Sequence, residues 1–301
     1  MRLIIFLLIL LSSMESFTQN EQLITLENSK ISFTVFGKGT PLLIINGGPG
    51  MNSQGFSDLA KELGKTHKVI TYDQRGTGKS KIDVINSNTM TLDLMLEDIE
   101  TIRKHINVKE WVILGHSFGG MLASYYATKF PKRIKALILS SSGGLDVKSL
   151  SSIQITSKLT QKQRDSLSYW TNKIRRGDTS YHAKFQRGKY LAPAYLRDQS
   201  HIKRIAHRLT QVNFEINQLI FQNMNAIDLD CSDHLKSFQK PVLIIQGKQD
   251  IIPIEISQKA HRTFPNSTLK IIPNSGHYGW LDQPKIYYKS ISDFLKSINI
   301  Y

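Results

Sequence analysis

The sequence predicts an α/β protein, a mostly parallel central sheet flanked by helices and interrupted once by a helical insertion. Three observations carry that reading. Continuous apolar runs at 42–45, 111–114 and 242–245 have the length of strands covered on both faces, as in parallel sheets. Segments with apolar residues three and four apart lie between such runs, so strand and helix alternate. From about 145 to 232 the alternation stops and helical patches replace it. That stretch holds fourteen Lys or Arg against seven Asp or Glu, about half of the chain's net charge of +15.

In order, 22–26 and 31–36 alternate loosely around Glu27-Asn28-Ser29-Lys30 and predict an antiparallel pair. Pro41 leads into the strand at 42–45, which ends in Asn46-Gly47-Gly48-Pro49-Gly50, and a helix follows over about 54–64. A strand at 69–72 runs into Asp73-Gln74-Arg75-Gly76-Thr77-Gly78-Lys79-Ser80. Leu92, Met95, Leu96, Ile99, Ile102 and Ile106 place a helix over 91–106. The strand at 111–114, a helix from Met121, a stop at Pro131 and a strand at 134–139 complete the first half. After the insertion, strands at 242–245 and 269–272 alternate with helices at 254–264 and 284–298.

The 301 residues, 40% of them hydrophobic, fit one large domain or a domain carrying an insertion. The simplest division is a core of 20–144 and 233–301 with a helical cap of 145–232. No internal repeat or low-complexity tract is present, and the composition is not that of a disordered chain. Met1-Arg2 is followed by an apolar stretch from Leu3 to Leu11 and the polar exit Ser12-Ser13-Met14. That is the pattern of a secretory signal over 1–19, with cleavage between Ser16 and Asn20. The stretch is shorter than the roughly 20 residues a bilayer span needs. An exported, periplasmic or secreted protein without a stable membrane span is therefore expected. The single cysteine, Cys231, rules out an intrachain disulfide and lies far from any lipid-attachment position beside the signal. A basic balance invites a nucleic-acid reading, but no nucleic-acid module is visible. The charge reads as a solvated surface attracted to anionic envelope components.

Gly115-His116-Ser117-Phe118-Gly119 matches G-x-S-x-G, a strand-to-helix turn that holds a serine hydroxyl above the edge of a sheet. Gly115 and Gly119 permit the tight turn, and Gly120 is expected to let the helix pack near the strand. A serine nucleophile needs a base, and the base an orienting acid. Asp250 follows the strand at 242–245 and His277 follows the strand at 269–272, in the chain order that this turn requires. Donors for a developing oxyanion are expected from the backbone N–H of Phe118 and from Gly48 in the Gly-rich loop. The His116 side chain is expected to point elsewhere, since alternate residues face opposite sides. His182, His201 and His207 read as surface or cap-packing residues, and no histidine pair has metal-ligand spacing. Asp73 reads as a turn-holding carboxylate.

On these residues the chain resembles an α/β-hydrolase and is similar, within that superfamily, to the proline iminopeptidase group. Asn46-Gly47-Gly48-Pro49-Gly50 resembles that group's His-Gly-Gly-Pro-Gly oxyanion loop, and 73–80 resembles its Asp-Gln-Arg-Gly-x-Gly-x-Ser segment. The likeness covers about 31–142 and 241 to the C-terminus and is weak across the insertion. Two departures stand out: Asn46 replaces the loop's usual histidine, and Gly-His-Ser-Phe-Gly-Gly replaces Gly-Gly-Ser-Trp-Gly at the turn. Members of the group bind the substrate's ammonium with cap carboxylates. Here Glu215 is the insertion's one Glu, preceded by Lys203, Arg204 and Arg208, and Ile251 stands where some relatives carry a second Glu. Glu215 is the residue available for an ammonium, in a basic setting that opposes it.

The resemblance implies an α/β-hydrolase fold and an acyl-enzyme mechanism by Ser117, His277 and Asp250, with neither metal nor organic cofactor. The partner is a small ester or a short peptide. Two enzymatic readings stay open: a carboxylic-ester or lactone hydrolase, and an aminopeptidase acting on N-terminal proline. A third is a ligand-binding protein built on the same fold.

Overall fold

A computed structural model describes residues 19–300. The signal-peptide expectation for 1–19 falls almost wholly outside the described residues. The sheet has nine strands: β1 (Gln19–Thr25), β2 (Ser29–Phe36), β3 (Pro41–Ile45), β4 (Lys68–Tyr72), β5 (Lys81–Ile82), β6 (Trp111–His116), β7 (Ile134–Ser140), β8 (Val242–Gly247) and β9 (Ser267–Ile272). Their order is β1-β2-β4-β3-β6-β7-β8-β9, with β5 on the side of β2. β2 pairs antiparallel with β1, β4 and β5, and β4, β3, β6, β7, β8 and β9 form a parallel ladder. The expected antiparallel pair and parallel core are both present. β5 is too short to show as a run in the sequence.

The apolar runs are continuous because the sheet is covered on both faces. In β3, Leu43 and Ile45 join one cluster while Leu42 and Ile44 join the other. β8 divides the same way, with Val242 and Ile244 against Leu243 and Ile245. The first cluster takes in α2 (Leu92–His105) and α3 (Phe118–Lys129). The second takes in α1 (Ser57–Leu63) and, near the C-terminus, a helix of 284–297. Thr91 caps α2 by accepting from the Leu94 N–H, as a residue of its type does at that position.

Between β7 and β8 lie α4 (Gln161–Arg175), α5 (Tyr181–Leu191), α6 (Ile202–Leu209), α7 (Phe214–Ala226) and α8 (Ser232–Leu235). α9 (Ile254–Thr263), α10 (Gly279–Asp282) and α11 (Pro284–Ser297) follow β8 and β9. Among the described residues no helix is long and apolar enough to cross a membrane. The two roots of the insertion are tied together. Val147 N–H donates to the Leu229 carbonyl at 2.8 Å, and Cys231 N–H to the Leu145 carbonyl at 2.9 Å. Cys231 is buried there, and burial pushes its thiol up to about 12. Beside the same junction Asp146 accepts from Ser149 N–H and Oγ and from Lys259 Nζ of α9, each at 2.8 Å.

Burial alone would raise the Asp146 carboxyl, but these donors outweigh it and hold its pKa below the ordinary value of 3.8. A depressed carboxylate stabilises the fold above its unfolded pKa, and that contribution is lost as pH falls through the folded value. Asp146→Asn is therefore expected to cost about 1–2 kcal/mol in urea unfolding at pH 7, the range for a hydrogen-bonded charge with one partly exposed partner. The difference from the wild type should shrink once the pH drops below 3.8.

Candidate active site

The loops at the carboxyl ends of β3, β6, β8 and β9 meet on one edge of the sheet, where parallel α/β folds place their ligands. Ser117 is the residue between β6 and α3. Its backbone has φ 56° and ψ −122°, in the left-handed half of dihedral space. Its N–H donates to the Ser140 carbonyl at 3.0 Å, and its carbonyl accepts from Gly120 and Gly143 N–H. A Cβ at Gly119 would lie 2.1 Å from the Ile45 carbonyl oxygen, and one at Gly115 would lie 2.3 Å from that of Gly119. Only glycine lets α3 start this close to β3 and β6. Gly120 does something other than expected: it admits Ser142, from the loop after β7, rather than the preceding strand.

Ser117 sits at the N-cap of α3 without making a side-chain capping bond. Among the described residues its hydroxyl makes no hydrogen bond, to His277 or to any other group, and it opens into a cavity of about 390 Å³. His277 lines the same cavity while only 3% exposed. Its Nδ1 lies 2.8 Å from Asp250 Oδ1, and its backbone N–H donates to the Tyr195 carbonyl at 2.7 Å. The Nδ1–H tautomer satisfies the carboxylate and leaves Nε2 as an acceptor. Asp250 Oδ1 also accepts from Ile252 N–H at 3.1 Å. Serine and imidazole in such sites commonly come into hydrogen-bond alignment only when substrate binds.

Gly48 and Phe118 line the cavity too. The Phe118 N–H, at the first position of α3, has no intrahelical acceptor. The Gly48 carbonyl accepts from Met51 N–H at 3.1 Å, closing a turn. The Asn46 side chain, the departure from the family pattern, donates to the Met51 carbonyl at 3.0 Å and braces this loop from within. Asp73 behaves as expected: one oxygen accepts from Ser53 N–H and Oγ, the other from Lys79 N–H, all at 2.8 Å.

Two expectations are corrected. His116 does not point away. Its ring lies 4.6 Å from that of His277, 1% exposed, at the cavity wall. It is the last residue of β6, where the chain bends into the elbow and strand alternation ends. Burial, and then the neighbouring His277 ring and the Arg208 guanidinium, hold its pKa well below the usual value, so it is neutral. The Ser140 backbone approaches the ring, but neither ring nitrogen reaches hydrogen-bond geometry. Glu215 is not at the cavity. It is exposed in the first turn of α7, where the helix dipole favours a carboxylate. Asn217 and Phe221, four residues apart on one face, reach the cavity instead, and Glu215 lies roughly 200° around the helix from Asn217.

Sequence reasoning also missed Arg208. It is 4% exposed and lines the cavity, with its guanidinium 4.7 Å from the Phe56 ring centroid. Nothing in the spacing of α6 marks it, because its partners lie about 160 residues earlier. Leu150, Ile153, Ile155, Ile251 and Ile252 make the remaining wall largely apolar, and among the described residues no carboxylate lines it.

The model of a family described as the alpha/beta hydrolase fold matches residues 40–284. A proline iminopeptidase of Saccharolobus solfataricus is 28% identical over 88% of this chain and 88% of its own. An alpha/beta fold family hydrolase from Bacillus anthracis superposes with a TM-score of 0.76 at 20% identity, covering 92% of this chain and 99% of that one. A thermophilic esterase from Thermogutta terrifontis does so at 0.70 and 22% identity, covering 93% and 99%. The matched family model spans every strand that carries a site residue, and the chain belongs to the α/β-hydrolase fold family, as a hydrolase similar to the proline iminopeptidase group.

Proposed function

We propose that the protein is an acyl hydrolase in which Ser117 attacks a carbonyl carbon while His277 takes its proton. Asp250 orients the imidazole and stabilises the imidazolium. The N–H groups of Phe118 and Gly48 receive the oxyanion. The leaving group departs with the proton from His277, and a water activated by the same imidazole releases the acyl group. The observation that carries this reading is the 2.8 Å contact of His277 Nδ1 with buried Asp250, on a cavity that also holds a Ser117 hydroxyl not spent on capping α3.

The preferred substrate is a small ester or amide whose acyl group is apolar and carries no ammonium. A free amino terminus needs a counter-charge, and the wall offers Arg208 with aliphatic and aromatic side chains but, among the described residues, no carboxylate. Ile251, beside Asp250, is part of that wall. The second reading, a proline iminopeptidase, draws on the names of relatives such as the Saccharolobus solfataricus enzyme. We also propose that residues 1–19 are a secretory signal and that the mature hydrolase works outside the cytoplasm, as a periplasmic or secreted protein.

Ser117→Ala should abolish labelling by a fluorophosphonate probe and hydrolysis of p-nitrophenyl esters while leaving the melting temperature within a few degrees. Asp250→Asn should lower kcat by roughly 10³–10⁴ through the wrong imidazole tautomer. Undiminished labelling of the alanine variant removes Ser117 from the mechanism. Short p-nitrophenyl esters should be cleaved at least ten-fold more efficiently than proline β-naphthylamide, and the reverse ratio establishes the peptidase. After cell fractionation the protein should be found in the periplasm or medium with a new N-terminus between residues 17 and 20 by mass spectrometry; protein confined to the cytoplasm with an intact Met1 refutes export.

A further inference from the structure

The loop of 46–52 after β3 is held almost entirely through its carbonyl oxygens, and the cap supplies several of the donors. Gln74 Nε2 donates to the Asn46 carbonyl at 2.9 Å, and the Asn46 side chain donates to that of Met51. From the insertion, Arg208 Nη2 donates to the Gly47 carbonyl at 3.0 Å and Asn217 Nδ2 to the Pro49 carbonyl at 3.0 Å. Asn213 N–H donates to the Gly50 carbonyl at 2.8 Å, and Arg208 Nη1 makes a longer 3.4 Å contact with that of Asn52. A Cβ at Gly50 would lie 2.4 Å from the Asn213 carbonyl oxygen, so loop and cap are fitted at backbone distance.

We propose that Arg208, assisted by Asn217, is the positioning residue that assembles the oxyanion hole from the cap side. This rests on Ser117 being the nucleophile and Gly48 an oxyanion donor. The Gly47 carbonyl and the Gly48 N–H belong to one planar trans peptide and point in opposite directions. Asn46 Nδ2 also donates to this oxygen, at 3.2 Å, but the guanidinium is the shorter and the charged donor, so holding the oxygen on it fixes the direction of the N–H. A charged donor on the carbonyl also polarises the amide and strengthens its N–H as a donor.

The guanidinium is permanently charged, and among the described residues it forms no salt bridge. Its Nε is buried without a partner, and two carbonyls and the face of Phe56 are what it has. A buried cation without a counter-charge weakens a fold compared with an apolar side chain of the same volume. The site does have an anion during the reaction, the oxyanion itself, whose charge develops beside the peptide that Arg208 holds. Arg208 thus carries a stability cost that the transition state offsets.

The test compares Arg208→Met, Arg208→Lys and Asn217→Ala with the wild type on a p-nitrophenyl ester, with phenylboronic acid as the tetrahedral probe and thermal unfolding in parallel. Arg208→Met should lower kcat on the order of 10–100-fold with KM within about two-fold, a fraction of the loss seen when an oxyanion donor itself is removed. Its affinity for phenylboronic acid should fall by a similar factor, and its melting temperature should hold or rise. Arg208→Lys should recover part of kcat, and Asn217→Ala should lose several-fold in kcat with KM unchanged. An unchanged kcat in Arg208→Met overturns the proposal, and so does a loss confined to KM, which makes Arg208 a substrate-binding group. If Arg208→Met does not fold, the other two variants decide, and normal kcat in both overturns the proposal. Retained activity in Ser117→Ala instead refutes the mechanism beneath it, so the two failures are distinguishable.

Discussion

The structure depends on one backbone constraint, the turn at Ser117. A non-glycine residue with positive φ costs about 1–3 kcal/mol and persists only where its surroundings over-determine it. Here the Ser117 N–H is tied to the Ser140 carbonyl, its own carbonyl is shared by two donors, and α3 is pressed against β3 at Gly119. The result is a hydroxyl at the N-terminus of a helix that is not spent on capping it. The same turn leaves the first amide of α3 free. The proposed nucleophile and one proposed oxyanion donor thus come from consecutive residues of one strained element.

The parallel sheet does the rest of the positioning. β3, β6, β8 and β9 all deliver their carboxyl ends to one edge, so the loops following them become neighbours despite their separation in the chain. The loop after β9 is held by Asp282, whose Oδ2 accepts from Gly276 N–H at 2.6 Å, and by the Tyr195 carbonyl from the insertion. The loop after β3 is held by Gln74, by its own Asn46 and by the cap. The insertion therefore braces both the imidazole and the Gly-rich loop, as well as roofing the cavity. His116 and His277 show how position separates two like groups. One is neutral and without a hydrogen-bond partner at the cavity wall, and the other has a carboxylate on Nδ1.

Much of this was legible because the signals are local. An apolar run of strand length, a Gly-rich turn and a catalytic residue type just after the run are each visible within ten residues, as at 242–250 and 269–277. β5 and α10 were not visible, since two and four residues carry no periodicity. The side His116 faces does not follow from strand alternation, because the chain bends into the elbow immediately after it. Charge marks Glu215 in the sequence, whereas the direction it faces follows from the phase of α7. That phase is set by Asn213 at the cap and by Asn217 and Phe221 packing toward the cavity.

The sequence by itself determined the fold family, the order of strands and helices along the chain, and which serine, aspartate and histidine stand at strand ends, because backbone propensity and apolar patterning act over short distances. Only the tertiary structure decided which side chains of the insertion reach the cavity, that no carboxylate among the described residues lines it, and that a buried arginine grips the Gly-rich loop. Those facts follow from how the cap docks across the sheet edge. Docking is a matter of packing and hydrogen-bond satisfaction between segments more than a hundred residues apart, which no local spacing encodes.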